Sequence, residues 1–383
     1  MHPRSGTILA IASFLAFGSL LVLYGANSTE LIVSLELDYA DLGMLGSMLS
    51  LGLGVGIILA GPLIDRLPRR PLYIGACALV LVASTTLGPE TGYRALLFHT
   101  IAIGFGAGFY ETVLNALVVE DLGRRAPRRL VFVHAAATAA ASATPLLFEL
   151  ARSFEPLAWY ETFRIAGGAH ALLIVGALFV PMRSRAAHGA NAATSDADRP
   201  DDRAALAAVC VACFAYVGVE SAVSLFVADH ATSVLALAPE RAGRTISAFW
   251  GGLLIGRLAI GLSPRPIGAG TTAALALVAA VLMVAFGAGA IGTPELAMAG
   301  VGFFLGGVFP IMIGLAGLAL PSSSGTAVGL AGGLGSLGGF VVPWLTGHVA
   351  NATTLSLALA SLGLWLGLLV TGAAVAARRT PAA

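Results

Sequence analysis

Long apolar runs alternate with short polar breaks along the whole chain. A bilayer-spanning helix needs ~20 apolar residues. On that measure the runs predict twelve helices, at 7–29, 43–63, 71–88, 95–119, 130–151, 163–181, 204–228, 244–263, 268–290, 294–320, 325–347 and 354–377. Strands of a membrane barrel would be alternating segments of ~10 residues, and these runs are longer and continuous. The first run follows a basic start but exceeds the ~7–15 apolar residues of a secretory signal. It reads as an uncleaved first helix.

Composition agrees with this pattern. Of 383 residues, 57% are hydrophobic and 11% charged, and the mean hydropathy is +0.90. Soluble domains carry ~25% charged residues, so the expected class is an all-α membrane protein embedded in a lipid bilayer. The net charge of +1 changes little; where the charges fall matters more. The basic residues are all Arg. One set of alternating loops holds Arg66, Arg69, Arg70, Arg124, Arg125, Arg128, Arg129, Arg183, Arg185, Arg199, Arg203 and Arg265, and the termini add Arg4, Arg378 and Arg379. The opposite loops hold Arg94, Arg152, Arg164, Arg241 and Arg244. The positive-inside rule makes the Arg-rich side cytoplasmic, with both termini inside and the protein in a cytoplasmic (inner) membrane.

Residues 183–203 form the one long polar stretch, with Asp196, Asp198, Asp201 and Asp202. This composition suits a disordered connector. It divides an expected six-helix bundle at 1–182 from another at 204–383. The two parts echo each other at an offset near 200. Ser47, Gly52, Gly56 and Gly61 match Ser247, Gly252, Gly256 and Gly261. Gly104, Phe105 and Gly108 match Gly302, Phe303 and Gly306, and Pro145 matches Pro343. Single glycine matches carry little weight, because Gly is frequent in membrane helices; the conserved order across helix pairs carries more. Paired bundles with a site between them near the midplane are a transporter plan.

Two carboxylates stand inside spanning runs: Glu111 is the one charged residue in 95–119, and Glu220 the one in 204–228. A charge at that depth costs ~2.5–3.5 kcal/mol on insertion scales, so such acids face a polar cavity, a proton path or a partner. Cys77, Cys210 and Cys213 also lie in spanning runs. Cys210 and Cys213 make a C-x-x-C with no second ligand pair, which reads as packing rather than metal or redox chemistry. Neither a metal nor a cofactor is expected. The Arg clusters fit membrane topology, so no nucleic-acid partner is expected.

Between the second and third helices the chain reads Gly61-Pro62-Leu63-Ile64-Asp65-Arg66-Leu67-Pro68-Arg69-Arg70. This resembles the G-x-x-x-D-R-x-x-R-R loop of the major facilitator superfamily, which implies two pseudo-symmetric six-helix bundles. Asp65, Arg66, Arg69 and Arg70 are then gating-loop residues whose ion pairs bias a two-state equilibrium. The alternative is a solvated basic loop. The equivalent second-half loop, Ser263-Pro264-Arg265-Pro266, lacks the acid.

A finer resemblance lies in Gly106-Ala107-Gly108-Phe109-Tyr110-Glu111-Thr112, Tyr216-Val217-Gly218-Val219-Glu220, Phe249-Trp250-Gly251-Gly252 with Ile255-Gly256-Arg257, and Gly306-Gly307-Val308-Phe309-Pro310. Together these look like the fucose–galactose–glucose:proton symporter family, in its bacterial glucose/mannose branch. The resemblance implies proton coupling at Glu111, with a hydrogen-bonded structural acid as the alternative. Asn115, one turn on, is placed to bind substrate or hold Glu111. Glu220 is a second proton site, a substrate acceptor or an ion-pair partner of Arg257, which is itself expected near the cytoplasmic end and able to snorkel outward. Glu30 is a coupling acid or an interfacial charge. Asn27 stands at the repeat position of Glu220. The sequon Asn27-Ser28-Thr29 reads poorly as a glycosylation site if it is buried. His134 lines a cavity floor or caps a helix end. Tyr24 and the Trp250 face complete a candidate sugar site, Trp250 being equally suited to packing.

The expected function is proton-coupled uptake of a hexose-like solute by a monomeric carrier. The chain has no Gln, so a sugar would find few amides; a proton-coupled exporter of an amphipathic metabolite or drug is the alternative. A non-transporting receptor or scaffold is the third reading, and it lacks a sizeable soluble domain. No nucleophile elbow or phosphate loop stands in a suitable setting, so no enzymatic role is expected.

Overall fold

The computed structural model describes residues 4–122, 126–182, 201–263 and 267–379. The expected connector from 183 to 200, Arg124, Arg125 and the loop residues Pro264, Arg265 and Pro266 lie outside the described residues, as do the side chains of Arg4, Arg128 and Arg129.

The first half of the chain contains α1 (Arg4–Ala26), α2 (Ser28–Leu35), α3 (Tyr39–Arg66), α4 (Arg69–Thr85), α5 (Tyr93–Leu122), α6 (Ala126–Arg152) and α7 (Trp159–Phe179). The second contains α8 (Arg203–Asp229), α9 (Pro239–Gly261), α10 (Ala269–Gly287), α11 (Pro294–Leu305), α12 (Val308–Ala319), α13 (Ser324–Ala352) and α14 (Leu355–Arg379). Among the described residues ten segments are long and apolar enough to cross a membrane, α11 and α12 counting as one. The expected twelve include two that fall short of that measure. One is α4, only 17 residues long; the other is α9, which carries Arg241, Arg244 and Arg257. Lipid offers the backbone no hydrogen bonds, so helices that satisfy their own peptide groups are the available solution for this chain.

Two expected helices are interrupted. The first is irregular at Asn27, yet the path continues into α2, because the Asn27 amide bonds to Leu23 O and the Leu31 amide to Asn27 O. The tenth breaks between α11 and α12. There Gly306 and Gly307 are followed by Pro310, which has no N–H for the Gly306 carbonyl four residues back. α3 starts on a capping box: Asp38 accepts from the Asp41 amide at 2.8 Å, and its own amide faces the Asp41 carboxylate at 3.4 Å.

Glycines set the closest packing. A Cβ at Gly52 or Gly56 on α3 would overlap the carbonyl of Ile101 or Phe105 on α5, and one at Gly104 or Gly108 would meet Leu49 or Leu53. In the second half, Gly252 and Gly256 on α9 meet the carbonyls of Ala299 and Phe303 on α11 in the same way, while Gly302 and Gly306 meet Phe249 and Leu253. Of the glycine positions that repeat in the sequence, Gly52, Gly56, Gly104 and Gly108 and their counterparts Gly252, Gly256, Gly302 and Gly306 are thus the backbone contact points of two equivalent helix pairs, while Gly61 and Gly261 are not. Such small-residue faces are how membrane helices approach closely.

Two helix pairs form the main seams between the halves, and α8 adds contacts to α1 and α3. On one, α3 packs on α13: Ser47 donates to Phe340 O at 2.6 Å and the Tyr39 amide to Asn351 Oδ1 at 3.0 Å. Contact runs on to Gly54 against Ser336, then the helices part, with open space beside Gly329, Gly332 and Gly333. On the other seam α6 packs on α9, where Ser142 donates to Ser247 O at 2.9 Å. The α3–α13 seam is therefore closed at the end away from the chain termini and open at the end that carries them.

Candidate functional site

The inner faces of α5, α6, α8 and α9 carry a line of polar side chains from one half to the other. Glu111 on α5 approaches His134 on α6, with 4.0 Å between Oε1 and Nδ1; their side chains are 17% and 39% exposed. Asn115, one turn along α5, faces the same carboxyl, and its Oδ1 is buried with no partner among the described residues. Phe14 sets its ring edgewise against His134 at 4.6 Å. These four side chains come from three helices of the first half, so only the folded bundle assembles them.

Arg257 extends the line into the second half. Its Nη1 donates to Thr138 Oγ1 on α6 at 2.9 Å, and its Nε donates to Gly306 O at 3.1 Å. Pro310 explains the second bond: it leaves the Gly306 carbonyl without a helical donor, and the guanidinium takes that place. Arg257 therefore turns inward, not out to the interface as its position near the helix end suggested. Glu220 on α8 faces this guanidinium and the Tyr216 hydroxyl one turn earlier. No direct Glu220–Arg257 salt bridge forms among the described residues; the bonds of Arg257 go to Thr138 and Gly306 instead. Tyr216 stacks on Phe309 at 5.8 Å, making an aromatic wall beside the acid.

The remaining sequence candidates lie apart from this line. Asn27 is buried and fully engaged: its Nδ2 donates to Leu23 O and to Thr162 Oγ1, while its Oδ1 accepts from Arg152 at 2.7 Å. That burial leaves no room for a glycan. Glu30 accepts from Arg152 at 3.1 Å and from the Trp159 amide at 2.8 Å. Both tie α1 and α2 to α6 and α7 at the end away from the termini. Tyr24 packs edge-on against Phe163 at 4.8 Å. Trp250 is 4% exposed, lies edge-on to Phe249, and has a buried indole N–H with no partner among the described residues. At the other end Asp65 and Arg66 are exposed, Arg69 is buried, and Arg70 donates to Val180 O at 2.9 Å, joining the start of α4 to the end of α7. Gly61 has open space beside it.

Sequence reading missed Thr138, and it quoted Tyr216 only as part of a motif, with no place in the site. Each stands four residues from a nominated side chain, His134 or Glu220, so helical spacing alone would have placed them on the same faces. It also missed Asp229, which is 3% exposed. Among the described residues no group of His, Cys, Asp and Glu side chains could hold a metal ion.

Acids and an arginine facing one another inside a multi-pass helical bundle, where two halves meet, define a membrane transporter. The chain belongs to the Major Facilitator Superfamily, whose sequence model matches residues 9–343. Its fold is similar to that of a D-xylose–proton symporter, at a TM-score of 0.77 and 16% identity over 100% of this chain and 99% of that one. It is similar also to a mutant form of the nucleoside transporter NupG, at a TM-score of 0.76 and 14% identity over 98% and 99%. In sequence it is 26% identical over 114 residues to Sugar transporter ERD6-like 7 of Arabidopsis thaliana; the match takes in 30% of this chain and 25% of that relative's length.

Proposed function

We propose that this transporter is a proton-coupled carrier of a small polar, hexose-like solute. It works by alternating access between two six-helix bundles, 1–182 and 204–383, with twelve spans and a cytoplasmic connector at 183–203. The observation that carries the reading is the Glu111–His134 approach at 4.0 Å, at one end of a polar line that reaches Arg257 and Glu220 in the other half. A carboxyl in that position can take a proton together with substrate and pass it on when the halves rock. Asn115, Glu220 and Arg257 supply hydrogen-bonding groups for hydroxyls, and the Tyr216–Phe309 wall supplies an apolar face for a sugar ring. The Arg-rich end is cytoplasmic on this reading, so the closed end faces outward. The carrier acts as a monomer in a cytoplasmic membrane, without a cofactor and without enzymatic activity.

The test is uptake into proteoliposomes under an imposed pH gradient, with a panel of labelled hexoses and pentoses. An inward proton gradient is expected to drive accumulation. Glu111→Gln is expected to abolish that accumulation while leaving solute exchange without a gradient. Gradient-driven uptake unchanged in the variant would remove Glu111 from the mechanism. The exporter reading is favoured by the missing Gln amides; inhibition of uptake by an inward proton gradient would select it.

A further inference from the structure

A cavity of about 420 Å³ lies outside the central polar line, at the end of the bundle away from the termini. Its walls come from α1, α6 and α9, so both halves contribute. Asn27, Glu149, Arg152 and Arg244 line it together with Leu146 and Leu150.

The charged groups are only partly satisfied. Arg244 Nη2 donates to Glu149 Oε1 at 3.0 Å. Glu149 Oε2 is buried with no partner among the described residues. A buried carboxylate oxygen without a donor is costly, so this atom calls for a donor from an occupant. Arg152 gives Nη2 to Asn27 and Glu30, and Nε to Leu157 O. Arg244 is 57% exposed and keeps further N–H groups for an acceptor. Glu149, Arg152 and Arg244 line the cavity, and Glu30, which does not, already pairs with Arg152; the four charges cancel, so the cavity matches a zwitterion better than an ion of either sign.

The apolar wall shows where the occupant comes from. Leu146 and Leu150 stand one turn apart on α6, and both line the cavity while remaining 43% and 57% exposed. Leu147 and Phe154 continue the exposed face. On a membrane helix that face meets acyl chains, so the cavity opens sideways onto lipid near the water boundary.

We propose that this cavity is a headgroup site for a zwitterionic phospholipid bearing a primary ammonium, and that the lipid bridges the halves at their closed end. The ammonium donates to Glu149 Oε2, the phosphate accepts from Arg244 and Arg152, and the acyl chains run along Leu146 and Leu150. A quaternary ammonium could not donate that hydrogen bond, and a headgroup of net negative charge would leave Glu149 opposed. The site does not depend on which solute is carried.

Thermal unfolding of the purified full chain in detergent tests this, titrated with phosphatidylethanolamine, phosphatidylcholine or phosphatidylglycerol of one chain length, and with water-soluble glycerophosphoethanolamine. Binding to the folded state raises the melting temperature in proportion to affinity. Phosphatidylethanolamine is expected to give the largest shift. Glu149→Gln is expected to weaken its apparent affinity roughly tenfold, the loss of one charge-assisted hydrogen bond, and to erase the preference over phosphatidylcholine. Leu146→Trp keeps every charged group and fills the cavity, so it is expected to lose the phosphatidylethanolamine response even if the Glu149 variant does not fold. Equal shifts from the three lipids, or a full response in Leu146→Trp, would overturn the site. An equal shift from the soluble headgroup would overturn the lipid assignment.

Discussion

Tyr39 at the start of α3 donates a hydrogen bond to Asp229 at the end of α8, with 3.0 Å between Oη and Oδ2. The bond crosses from one half of the chain to the other. Asp229 also accepts from Thr29 at 3.1 Å and from Ser233 at 2.9 Å. Tyr39 and Thr29 reach this buried carboxylate from the first half and Ser233 braces it from its own, so under the proposed alternating access the first two bonds form a latch that comes apart when this end opens. Asp229→Asn replaces one acceptor oxygen with a donor and removes the charge, at a cost of ~1–3 kcal/mol to the closed arrangement. A two-state equilibrium shifts by that difference. Spin labels at exposed Val33 and Val234 are expected to show a new, longer distance in Asp229→Asn and a smaller shift in Tyr39→Phe. An unchanged distance distribution in both would remove the latch role.

Close glycine packing makes a second expectation specific. A side chain at Gly252 would overlap the Ala299 carbonyl, whereas Gly329 has nothing within 4 Å. Backbone cannot yield as a side-chain tip can, so Gly252→Val is expected to lose at least ~1–3 kcal/mol through overpacking. Gly329→Ala is expected to be neutral or to gain up to ~1 kcal/mol from helix propensity. Melting curves of the two variants beside the parent check this, and the expectation fails if Gly252→Val melts with the parent.

The start of α3 makes a pH-dependent expectation. Asp38 sits outside the spanning segment, and the hydrogen bond from the Asp41 amide holds its carboxyl below the usual carboxylate range. A depressed folded-state value means that the cap contributes fully above the unfolded value and is lost as pH falls through the lowered one. Asp38→Ala is expected to cost ~1 kcal/mol at neutral pH, as N-cap losses do. The gap to the parent is expected to stay constant from about pH 5 to 8 and to close in acid below about pH 4. Unfolding followed across that range measures it; a gap that widens in acid contradicts the assignment.

The parts of this fold legible in the sequence are those set by local period and composition. Apolar run length located the helices, and the recurring Gly52 and Gly252 positions marked where helices touch, because close approach demands Gly wherever it occurs. Glu111 with Asn115 was readable because a helix places them one turn apart. The approach of His134 to Glu111 was not, since it depends on how α5 and α6 cross. Asn27 is neither Gly nor Pro, so nothing local marked the irregularity there. Glu149, Arg152, Asp229 and Arg244 stand near helix ends, where a hydropathy reading counts them as boundary charges. The Glu149–Arg244 and Asp229–Tyr39 bonds exist only after the two halves meet, and those of Arg152 to Asn27 and Glu30 only after α6 packs beside α1 and α2.

Arg257 and Pro310 offer a reciprocal test of the central line. Pro310 leaves the Gly306 carbonyl without a helical donor, and Arg257 Nε fills that vacancy at 3.1 Å. Arg257→Ala is expected to orphan the carbonyl as well as free Thr138, a loss of ~1–3 kcal/mol for an unsatisfied buried acceptor. Adding Pro310→Ala supplies an N–H in register with Gly306 O, so the double variant is expected to recover part of the lost melting temperature. Residues that share one network depart from additivity by ~0.5–3 kcal/mol, and a double-mutant cycle reads that departure directly. Transport is expected to stay impaired in the double variant, because the proline change restores the backbone bond but not the cation facing Glu220. Strict additivity of the two melting shifts would show that Arg257 does not serve the Gly306 carbonyl, while full recovery of transport would remove the guanidinium from the carrier's working groups.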